Sequence, residues 1–225
     1  MIMSKVAIIT GASKGIGFET MSIFEESGYT CYDFSRTSGI DITNQKLVNK
    51  KVKKIFKKHG RIDILVNNAG IVSTTDILDM SLEEWDNILN VNLTGAFICT
   101  KSILPYMLKG KGGKIVNVSS IAGVDKSKVA SVAYTASKHG LVGLTKQLAY
   151  KYAKHNINVN CVAPSQTKTE MLMDNLSEKE INKLEKQIPN GRLLDPSEVA
   201  NTIYFLTLDE TSYINGEVIN INGGQ

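Results

Sequence analysis

The stretch TGASKGIG, Thr10–Gly17, follows an apolar run and places three glycines where a strand gives way to a helix. Glycine loses more conformational entropy on folding than any other residue, so such a cluster needs a physical reason. One reason is a phosphate group bound by the free N–H groups of a helix N-terminus. The spacing is G-x-x-x-G-x-G rather than the common G-x-G-x-x-G. A tight turn without a ligand remains the alternative for any single glycine motif.

The composition is that of an ordinary globular protein. A chain of 225 residues with 42% hydrophobic and 21% charged residues can bury one substantial core. We see no repeat or linker, and we expect a single domain over residues 1–225. The N-terminus passes from MIMSK almost directly into a strand and no apolar run approaches the length of a membrane span, which predicts a cytoplasmic protein. Cys31, Cys99 and Cys161 lack metal-ligand spacing, so we expect reduced thiols and no metal site.

The main concentration of lysine is KLVNKKVKKIFKKHGR at residues 46–61, in a chain of net charge +4. Its apolar residues recur at near-helical spacing, which predicts an amphipathic helix with a solvated basic face. A solvated face of this kind is common in proteins that bind no polyanion, and we therefore expect no nucleic-acid partner.

Strand-like runs alternate with amphipathic helical stretches along the chain. This alternation predicts a parallel sheet covered by helices on both faces, with ligands at the C-terminal ends of the strands. The glycine turn then has the βαβ setting that a dinucleotide site requires. The predicted strands are VAIIT, YTCYDFS, DILVNN, KIVNVSS, INVNCVA and EVININ, and the predicted helices span residues 15–27, 45–59, 82–108, 134–155, 178–187 and 196–208.

The glycine stretch resembles the short-chain dehydrogenase/reductase family, and the resemblance continues along nearly the whole chain. The further matching segments are DILVNNAG at 63–70, VNLTGAF at 91–97, KIVNVSS ending at residue 120, YTASK at 134–138, GRLLDPSEVA at 191–200 and SYINGEVININGG at 212–224. The chain is most similar to reductases of 3-oxoacyl chains on acyl carrier protein. The resemblance implies a Rossmann-type doubly wound sheet of about seven strands. It also implies hydride transfer between a nicotinamide and a carbonyl or carbinol carbon, in a homotetramer or homodimer.

The motif YTASK suits proton transfer. Tyr134 and Lys138 are four residues apart and share one face of a helix. A phenol has a pKa of about 10, and an ammonium within roughly 4–6 Å is expected to lower that pKa. Tyr134 then becomes a plausible proton donor to a ketone. The second Y-x-x-x-K pair, Tyr150 and Lys154, lies roughly 24 Å further along the same helix, and we expect it to pack or meet solvent.

Two further polar residues complete the candidate catalytic set. Ser120 ends a strand, and its hydroxyl could hydrogen-bond the substrate oxygen. Ser119 is the rival, and the pleat is expected to point the two serines apart. Asn92 stands inside a helical stretch, where asparagine competes with backbone hydrogen bonds. By resemblance, Asn92 interrupts the helix and holds a water that relays protons to Lys138; capping or packing is the alternative.

The choice of nicotinamide cofactor depends on the end of the second strand. An acidic residue about 20 positions after the glycine motif commonly selects NAD. Asp33 has that spacing, but the strand continues through Phe34, so Asp33 is expected to be internal. Matching the family puts Ser35 and Arg36 at the discriminating position, where a guanidinium can bind a 2′-phosphate and Lys14 adds a second cation. We expect NADP(H) rather than NAD(H), with Arg36 as an unliganded surface arginine the alternative.

The stretch after Arg36 is unusually short. Only TSGI precedes Asp41, where most of the family carries a helix, so we expect that helix to be missing and a third strand to be very short, around GIDIT. By resemblance, Asp41 and Ile42 contact the adenine. The other cofactor contacts implied by the resemblance are Gly11, Ser13, Lys14, Gly15, Ile16, Gly17, Asn68, Ala69, Gly70, Tyr134, Lys138, Thr167 and Thr169.

On the substrate side, Ser165 follows Pro164 where the family usually has Pro-Gly. Serine would be strained at a positive φ, so we expect the loop to take a different path. Residues 168–189 are predicted to form a mobile lid. The cations that resemble in place those that dock acidic carrier protein, solvation being the alternative, are Lys109, Lys111, Lys114, Lys154 and His155.

These features favour an NADPH-dependent reductase of a ketone, either a small molecule or a 3-oxoacyl group on acyl carrier protein. A sugar or polyol dehydrogenase is the first alternative, indicated by the unusual PSQTKTEM loop at residues 164–171. A non-catalytic dinucleotide-binding sensor is the second. The intact set of Asn92, Ser120, Tyr134 and Lys138 argues against a sensor, because a sensor needs no acid.

Overall fold

A computed structural model describes residues 4–127, 129–174 and 176–225. Within them, six parallel strands form one sheet in the order β2-β1-β3-β4-β5-β6. The strands are β1 Val6–Thr10, β2 Thr30–Phe34, β3 Ile64–Asn67, β4 Gly113–Val118, β5 Ile157–Pro164 and β6 Val218–Ile221. The helices are α1 Gly15–Glu26, α2 Gln45–His59, α3 Leu82–Leu89, α4 Gly95–Lys109, α5 Val132–Tyr152, α6 Glu170–Met173, α7 Glu178–Glu185 and α8 Pro196–Phe205.

The helices cover both faces of the sheet, and β1 lies between two apolar clusters. Val6 and Ile8 pack with residues of α2 and α4. Ala7 and Ile9, which the pleat directs to the other face, pack with residues of α1 and α8. The predicted parallel sheet with helices on both faces is therefore confirmed. No helix in the described part of the chain is long and apolar enough to span a membrane.

The predicted third strand around GIDIT is wrong, and the described sheet has six strands rather than about seven. Residues 35–44 form turns and contain no helix. The Ile40 N–H donates to the Ser35 carbonyl at 2.8 Å, and the Asp41 carboxylate accepts from the Thr43 N–H at 2.9 Å. A parallel strand needs a crossover of about a dozen or more residues, which this segment cannot supply.

The predicted helix over residues 82–108 is interrupted. A π-helical turn at Asn90–Thr94 separates α3 from α4. Asn92 lies inside this turn and is buried. Turns of this kind insert an extra residue into a helix and occur frequently at functional sites.

The loop after β5 avoids backbone strain. The Ser165 N–H donates to the Ile221 carbonyl at 2.9 Å, which continues the pairing with β6. Among the described residues, Asn156 is the only one other than glycine with a positive φ. Ser165 therefore follows a path that a serine adopts freely. The three cysteines carry free thiols, as predicted.

Gly17→Ala is expected to destabilise the protein by about 1–3 kcal/mol, because overpacking forces the backbone to shift. A Cβ at Gly17 would collide with the Gly11 carbonyl oxygen and lie 2.5 Å from Asn68 Nδ2. Gly143→Ala is the matched control, since a Cβ there meets nothing within 4 Å on an exposed part of α5. That variant is expected to gain about 0.5–1 kcal/mol from helix propensity. Urea unfolding measures both, and equal stabilities of the two variants would contradict the close contact at Gly17.

Candidate active site

The four predicted catalytic residues meet at the C-terminal edge of β4. Ser120 follows this strand, Tyr134 and Lys138 lie on α5, and Asn92 lies in the π-helical turn. Lys138 Nζ is 5.6 Å from the centroid of the Tyr134 ring. A Cβ placed on Gly70 would lie 3.3 Å from Asn92 Oδ1 and 3.5 Å from Lys138 Nζ. The structure thus brings segments from four different parts of the chain to one place.

Lys138 is buried, and its Nζ donates a hydrogen bond of 2.7 Å to the Val118 carbonyl at the end of β4. Burial lowers the pKa of Lys138 to about 8, because the charged ammonium loses its solvation. The neighbouring Cys161 thiol opposes this effect only in part. The amine therefore gains and loses its proton close to neutral pH.

The pKa of Tyr134 departs from its ordinary value in the direction opposite to the predicted one. Burial raises the pKa of Tyr134 above its ordinary value of 10.0, and a hydrogen bond with Ser120 opposes that rise. The expectation that Lys138 lowers this pKa is wrong for the structure, since desolvation of the phenol dominates and the Lys138 proton is directed to the Val118 carbonyl. The phenol is therefore held neutral, which is the form that can donate a proton.

The two serines after β4 have separate partners. Ser119 Oγ is buried and donates to the Lys138 carbonyl at 2.9 Å. Ser120 Oγ accepts from the Ala122 N–H at 3.2 Å and is hydrogen-bonded with Tyr134. Of the two, Ser120 is the one placed beside the phenol, and Ser119 ties β4 to α5.

The Asn92 side chain braces the segment that follows β3. Its Oδ1 accepts from the Ile71 N–H at 2.8 Å, and its Nδ2 donates to the Ile71 carbonyl at 2.9 Å and to Ser137 Oγ at 3.1 Å. These bonds use both amide hydrogens of Asn92. The bracing contact corresponds to the packing alternative, and the proton-relay role remains a prediction.

The glycine turn presents an uncapped helix N-terminus. Gly11 and Gly15 have φ angles of 67° and 57°, which suit glycine. Lys14 stands at the N-cap of α1 without a side-chain hydrogen bond, and the first turn of α1 has no acidic residue. By contrast, a side chain caps each of α2, α3, α5, α7 and α8. The N–H groups of Ile16 and Gly17 in the first turn of α1 thus fit the diphosphate of a dinucleotide.

The segment after β3 is hydrogen-bonded to the start of the glycine turn. Thr10 Oγ1 accepts from the N–H groups of Asn68 and Ala69, each at 2.9 Å. Asn68 Nδ2 donates to the Thr10 and Gly11 carbonyls at 3.0 and 3.1 Å. The amide hydrogens of Asn68 are therefore engaged within the protein. Sequence reasoning missed Thr10, whose buried hydroxyl joins the two segments.

Asp33 is internal, as its place within the strand predicted. Its carboxylate accepts from the Ala12 N–H at 3.0 Å and from Ser35 Oγ at 2.5 Å. Both carboxylate oxygens are thus used inside the protein, and Ser35 is itself buried. Arg36 comes next and is exposed at the C-terminal edge of the sheet.

The predicted adenine contacts have other partners in the structure. Hydrogen bonds from Thr43 hold the pKa of Asp41 below its usual range, and Arg36 adds an attraction. Ile42 is buried, and a Cβ on Gly95 would lie 2.6 Å from its Cδ1. Ile42 therefore packs against α4 in the core.

The loop after β5 approaches the glycine turn. Thr167 is buried and pairs with Leu194 in an isolated bridge. A Cβ on Gly15 would lie 3.1 Å from Thr169 Cγ2. The predicted lid follows and contains α6 and α7; its residue Asn175 lies outside the described residues.

The five cations predicted to dock a carrier protein lie at the edge of the sheet opposite to Ser120. Lys114 is near the start of β4, whereas Ser120 follows its end. At about 3.3 Å per residue, the two are roughly 20 Å apart. Docking of a carrier protein by these cations stays a prediction, with solvation as its alternative. Tyr150 is 87% exposed near the end of α5, as predicted for the second Y-x-x-x-K pair.

Ser131 is a site residue that sequence reasoning missed. It stands at the N-cap of α5, where its Oγ accepts from the Tyr134 N–H at 3.3 Å, and its own N–H donates to the Ser73 carbonyl at 2.8 Å. A serine three residues before the tyrosine of YTASK is a helix-capping signal in the sequence, and it could have identified Ser131.

Comparisons with known proteins show what this chain is similar to. A family model described as Enoyl-(Acyl carrier protein) reductase matches residues 32–225. The 3-oxoacyl-[acyl-carrier-protein] reductase FabG of Thermotoga maritima is 40% identical over 240 residues, which cover 98% of this chain and 97% of the relative. The solved structure of ElxO with NADP bound has a TM-score of 0.93 and 33% identity, covering 99% of this chain and 98% of that one. Ligand-free aldohexose dehydrogenase (AldT) of Thermoplasma acidophilum has a TM-score of 0.88 and 34% identity, covering 98% and 93%.

Lys138→Met is expected to be more stable than the wild type at pH 7, by up to a few kcal/mol. The folded wild type must keep an ammonium buried, and this penalty is fully present below a pKa of about 8. As the pH rises from there towards the unfolded value of 10.5, the unfolded chain also loses its proton and the penalty disappears. Urea unfolding of both proteins at pH 7 and pH 10 measures the gap, which should shrink at the higher pH. A gap that does not change with pH would contradict the lowered pKa.

Proposed function

The chain belongs to the short-chain dehydrogenase/reductase family of oxidoreductases, and we propose that it uses NADPH to reduce a ketone to a secondary alcohol. The observation that supports this proposal most strongly is the position of Tyr134 between Ser120 and Lys138 at the end of β4. A phenol kept neutral by burial, Tyr134, lies hydrogen-bonded to Ser120 and beside the Lys138 amine. This is the arrangement that protonation of a carbonyl oxygen requires.

Tyr134 and Ser120 have different roles at the carbonyl oxygen of the substrate. A bound nicotinamide would supply the hydride to the carbonyl carbon. Tyr134 donates its proton to the oxygen, and the Ser120 hydroxyl hydrogen-bonds the same oxygen as negative charge develops there. By resemblance, Lys138 would receive the proton that replaces the one given up by Tyr134, and its Nζ lies 5.6 Å from the centroid of the Tyr134 ring. Gly70 leaves room for a ligand next to Asn92 and Lys138.

The cofactor is proposed to bind along the C-terminal edge of β1 and β2. Its diphosphate would accept hydrogen bonds from the N–H groups at the start of α1. Arg36, with Lys14, would bind the 2′-phosphate of NADPH, because Asp33 is engaged with Ala12 and Ser35. The NADP bound in the similar structure of ElxO supports this choice.

The substrate is proposed to be a 3-oxoacyl thioester carried on acyl carrier protein. The name of the Thermotoga maritima relative, at 40% identity, supports this class. An aldose or polyol is the second candidate, because aldohexose dehydrogenase is 34% identical and the PSQTKTEM loop departs from the usual family pattern. Assembly as a homotetramer or homodimer and a cytoplasmic location belong to the same proposal, by resemblance to the family.

Tyr134→Phe is expected to lower kcat by about 10²–10⁴ because the proton donor is removed. The measurement is oxidation of NADPH with acetoacetyl thioesters and with a panel of ketoses, each compared between wild type and variant. Binding of NADPH, followed by fluorescence, should weaken far less than kcat falls.

Tyr150→Phe is the matched control, since Tyr150 is 87% exposed on the same helix and should keep full activity. Turnover of ketoses but not of thioesters by the wild type would favour the second candidate. Undiminished turnover by Tyr134→Phe would show that the assigned acid is wrong.

Arg36→Ala is expected to weaken NADPH binding by about 10- to 150-fold and to leave NADH binding unchanged, because a charge-assisted bond to phosphate contributes about 1.5–3 kcal/mol. Titration of both cofactors by fluorescence gives the two dissociation constants. Lys46→Ala, at an exposed lysine near the start of α2, is the control for a general loss of positive charge. Equal weakening of both cofactors by Arg36→Ala would show that Arg36 does not select the 2′-phosphate.

A further inference from the structure

Residues 71–75, here called the strap, follow the β3 segment in the chain and are hydrogen-bonded to Ser131, the N-cap residue of α5. The strap has no regular secondary structure, so its position depends on individual hydrogen bonds. At one end, Ile71 is held by both polar groups of the Asn92 amide. In the middle, the Ser73 carbonyl accepts from the Ser131 N–H at 2.8 Å. The strap therefore lies between two parts of the active site and contacts both.

The contact with Ser131 reaches the proton donor directly. Ser131 caps α5, and its Oγ accepts from the Tyr134 N–H at 3.3 Å. Because Tyr134 is in the first turn of α5, the place of the N-cap residue affects where the phenol lies relative to Ser120. Any displacement of the strap would thus be transmitted through Ser131 to the reacting hydroxyl.

The carboxylate of Glu84, a residue of α3, binds two residues of the strap. Glu84 Oε1 accepts from Ser73 Oγ at 2.5 Å and from Thr75 Oγ1 at 2.8 Å. These two bonds hold the pKa of Glu84 below its usual value, so the group is ionised at neutral pH. Among the described residues, Glu84 is the only charged side chain hydrogen-bonded to the strap. Hydrogen bonds to an ionised acceptor are roughly twice as strong as neutral ones.

We propose that Glu84 is a positioning residue for Tyr134. Its carboxylate holds Ser73 and Thr75, the Ser73 carbonyl holds the N-cap of α5, and the N-cap sets the position of the phenol. The proposal rests on the proposed function, in which Tyr134 is the proton donor. Among the described residues, Glu84 has no hydrogen bond or ion pair with Tyr134 or with the predicted cofactor residues, so we expect it to affect the chemical step rather than cofactor binding. Misplacement of a reacting group by about 1 Å can cost as much as 10²-fold in rate.

Glu84→Ala tests the proposal against two matched variants. Its kcat for ketone reduction is expected to fall about tenfold while KM for NADPH stays unchanged, because the cofactor turn is untouched. Glu84→Gln keeps an amide oxygen that can accept both hydroxyls and should retain at least half of kcat. Glu83→Ala removes an exposed carboxylate one residue away and should behave as the wild type. A kcat of Glu84→Ala equal to that of Glu83→Ala would overturn the proposal, as would equal loss in Glu84→Gln.

Hydrogen exchange supplies a readout that does not depend on turnover. The Ser131 and Tyr134 amides should exchange faster in Glu84→Ala than in Glu83→Ala, because both amides belong to the chain of contacts. If the wild type reduces no carbonyl compound, the proposed function fails while this measurement still decides the role of Glu84. If Glu84→Ala does not fold, Glu84→Asp, whose carboxylate reaches one methylene less far, is expected to show both effects. Unchanged exchange and kcat in Glu84→Asp would then overturn the proposal.

Discussion

The hydrogen bond from Lys138 Nζ to the Val118 carbonyl is the contact on which the site depends. It joins the second turn of α5 to Val118, the last residue of β4, and Oγ of the next residue, Ser119, donates to the Lys138 backbone carbonyl. These two bonds fix both the side chain and the main chain of Lys138. The start of α5, with Tyr134, is thereby held over the end of the strand that leads into Ser120.

This arrangement is unfavourable for stability. Lys138 is 4% exposed and has a backbone carbonyl rather than a carboxylate as its hydrogen-bond partner. An ammonium buried without an opposite charge is destabilising, and the lowered pKa is the direct sign of that strain. Catalytic groups are commonly kept in such positions because activity requires a perturbed proton affinity. The apolar packing on both faces of the sheet offsets the cost.

Those features of the fold that depend on local residue patterns could be predicted from the sequence. The run VAIIT is β1 from its first residue to its last, and the lysine-rich helix α2 has the predicted bounds because its apolar residues follow the helical period. GIDIT has the composition of a strand, but the ten or so residues around it cannot make a parallel crossover. The sequence predicted an interruption of the helix at Asn92 but not the π-helical turn over Asn90–Thr94. The hydrogen bond of Asn92 there is to Ile71, which is distant in sequence and carries no pattern that reveals it.

In the candidate site, too, local sequence patterns predicted some features, whereas features that depend on the whole fold could not be predicted. Tyr134 and Lys138 could be paired by spacing, yet the direction of the phenol pKa could not, because burial is a property of the whole fold. The resemblance assigned Lys109 and the cations grouped with it to the docking of a carrier protein, but it did not say at which edge of the sheet they lie. Their position at the other edge follows from the direction of β4, which carries Lys114 and Ser120 to opposite ends. The strap and Glu84 carry no motif, and only the hydrogen bonds reveal them.

A crystal structure of the protein with NADPH tests the central claim most directly. The account predicts that the diphosphate lies against the N–H groups of Ile16 and Gly17 and that the nicotinamide ring lies beside Tyr134. The reactive carbon would then leave space for a carbonyl group within about 3–3.5 Å. A diphosphate bound away from the start of α1, or a ring far from Tyr134, would contradict the account.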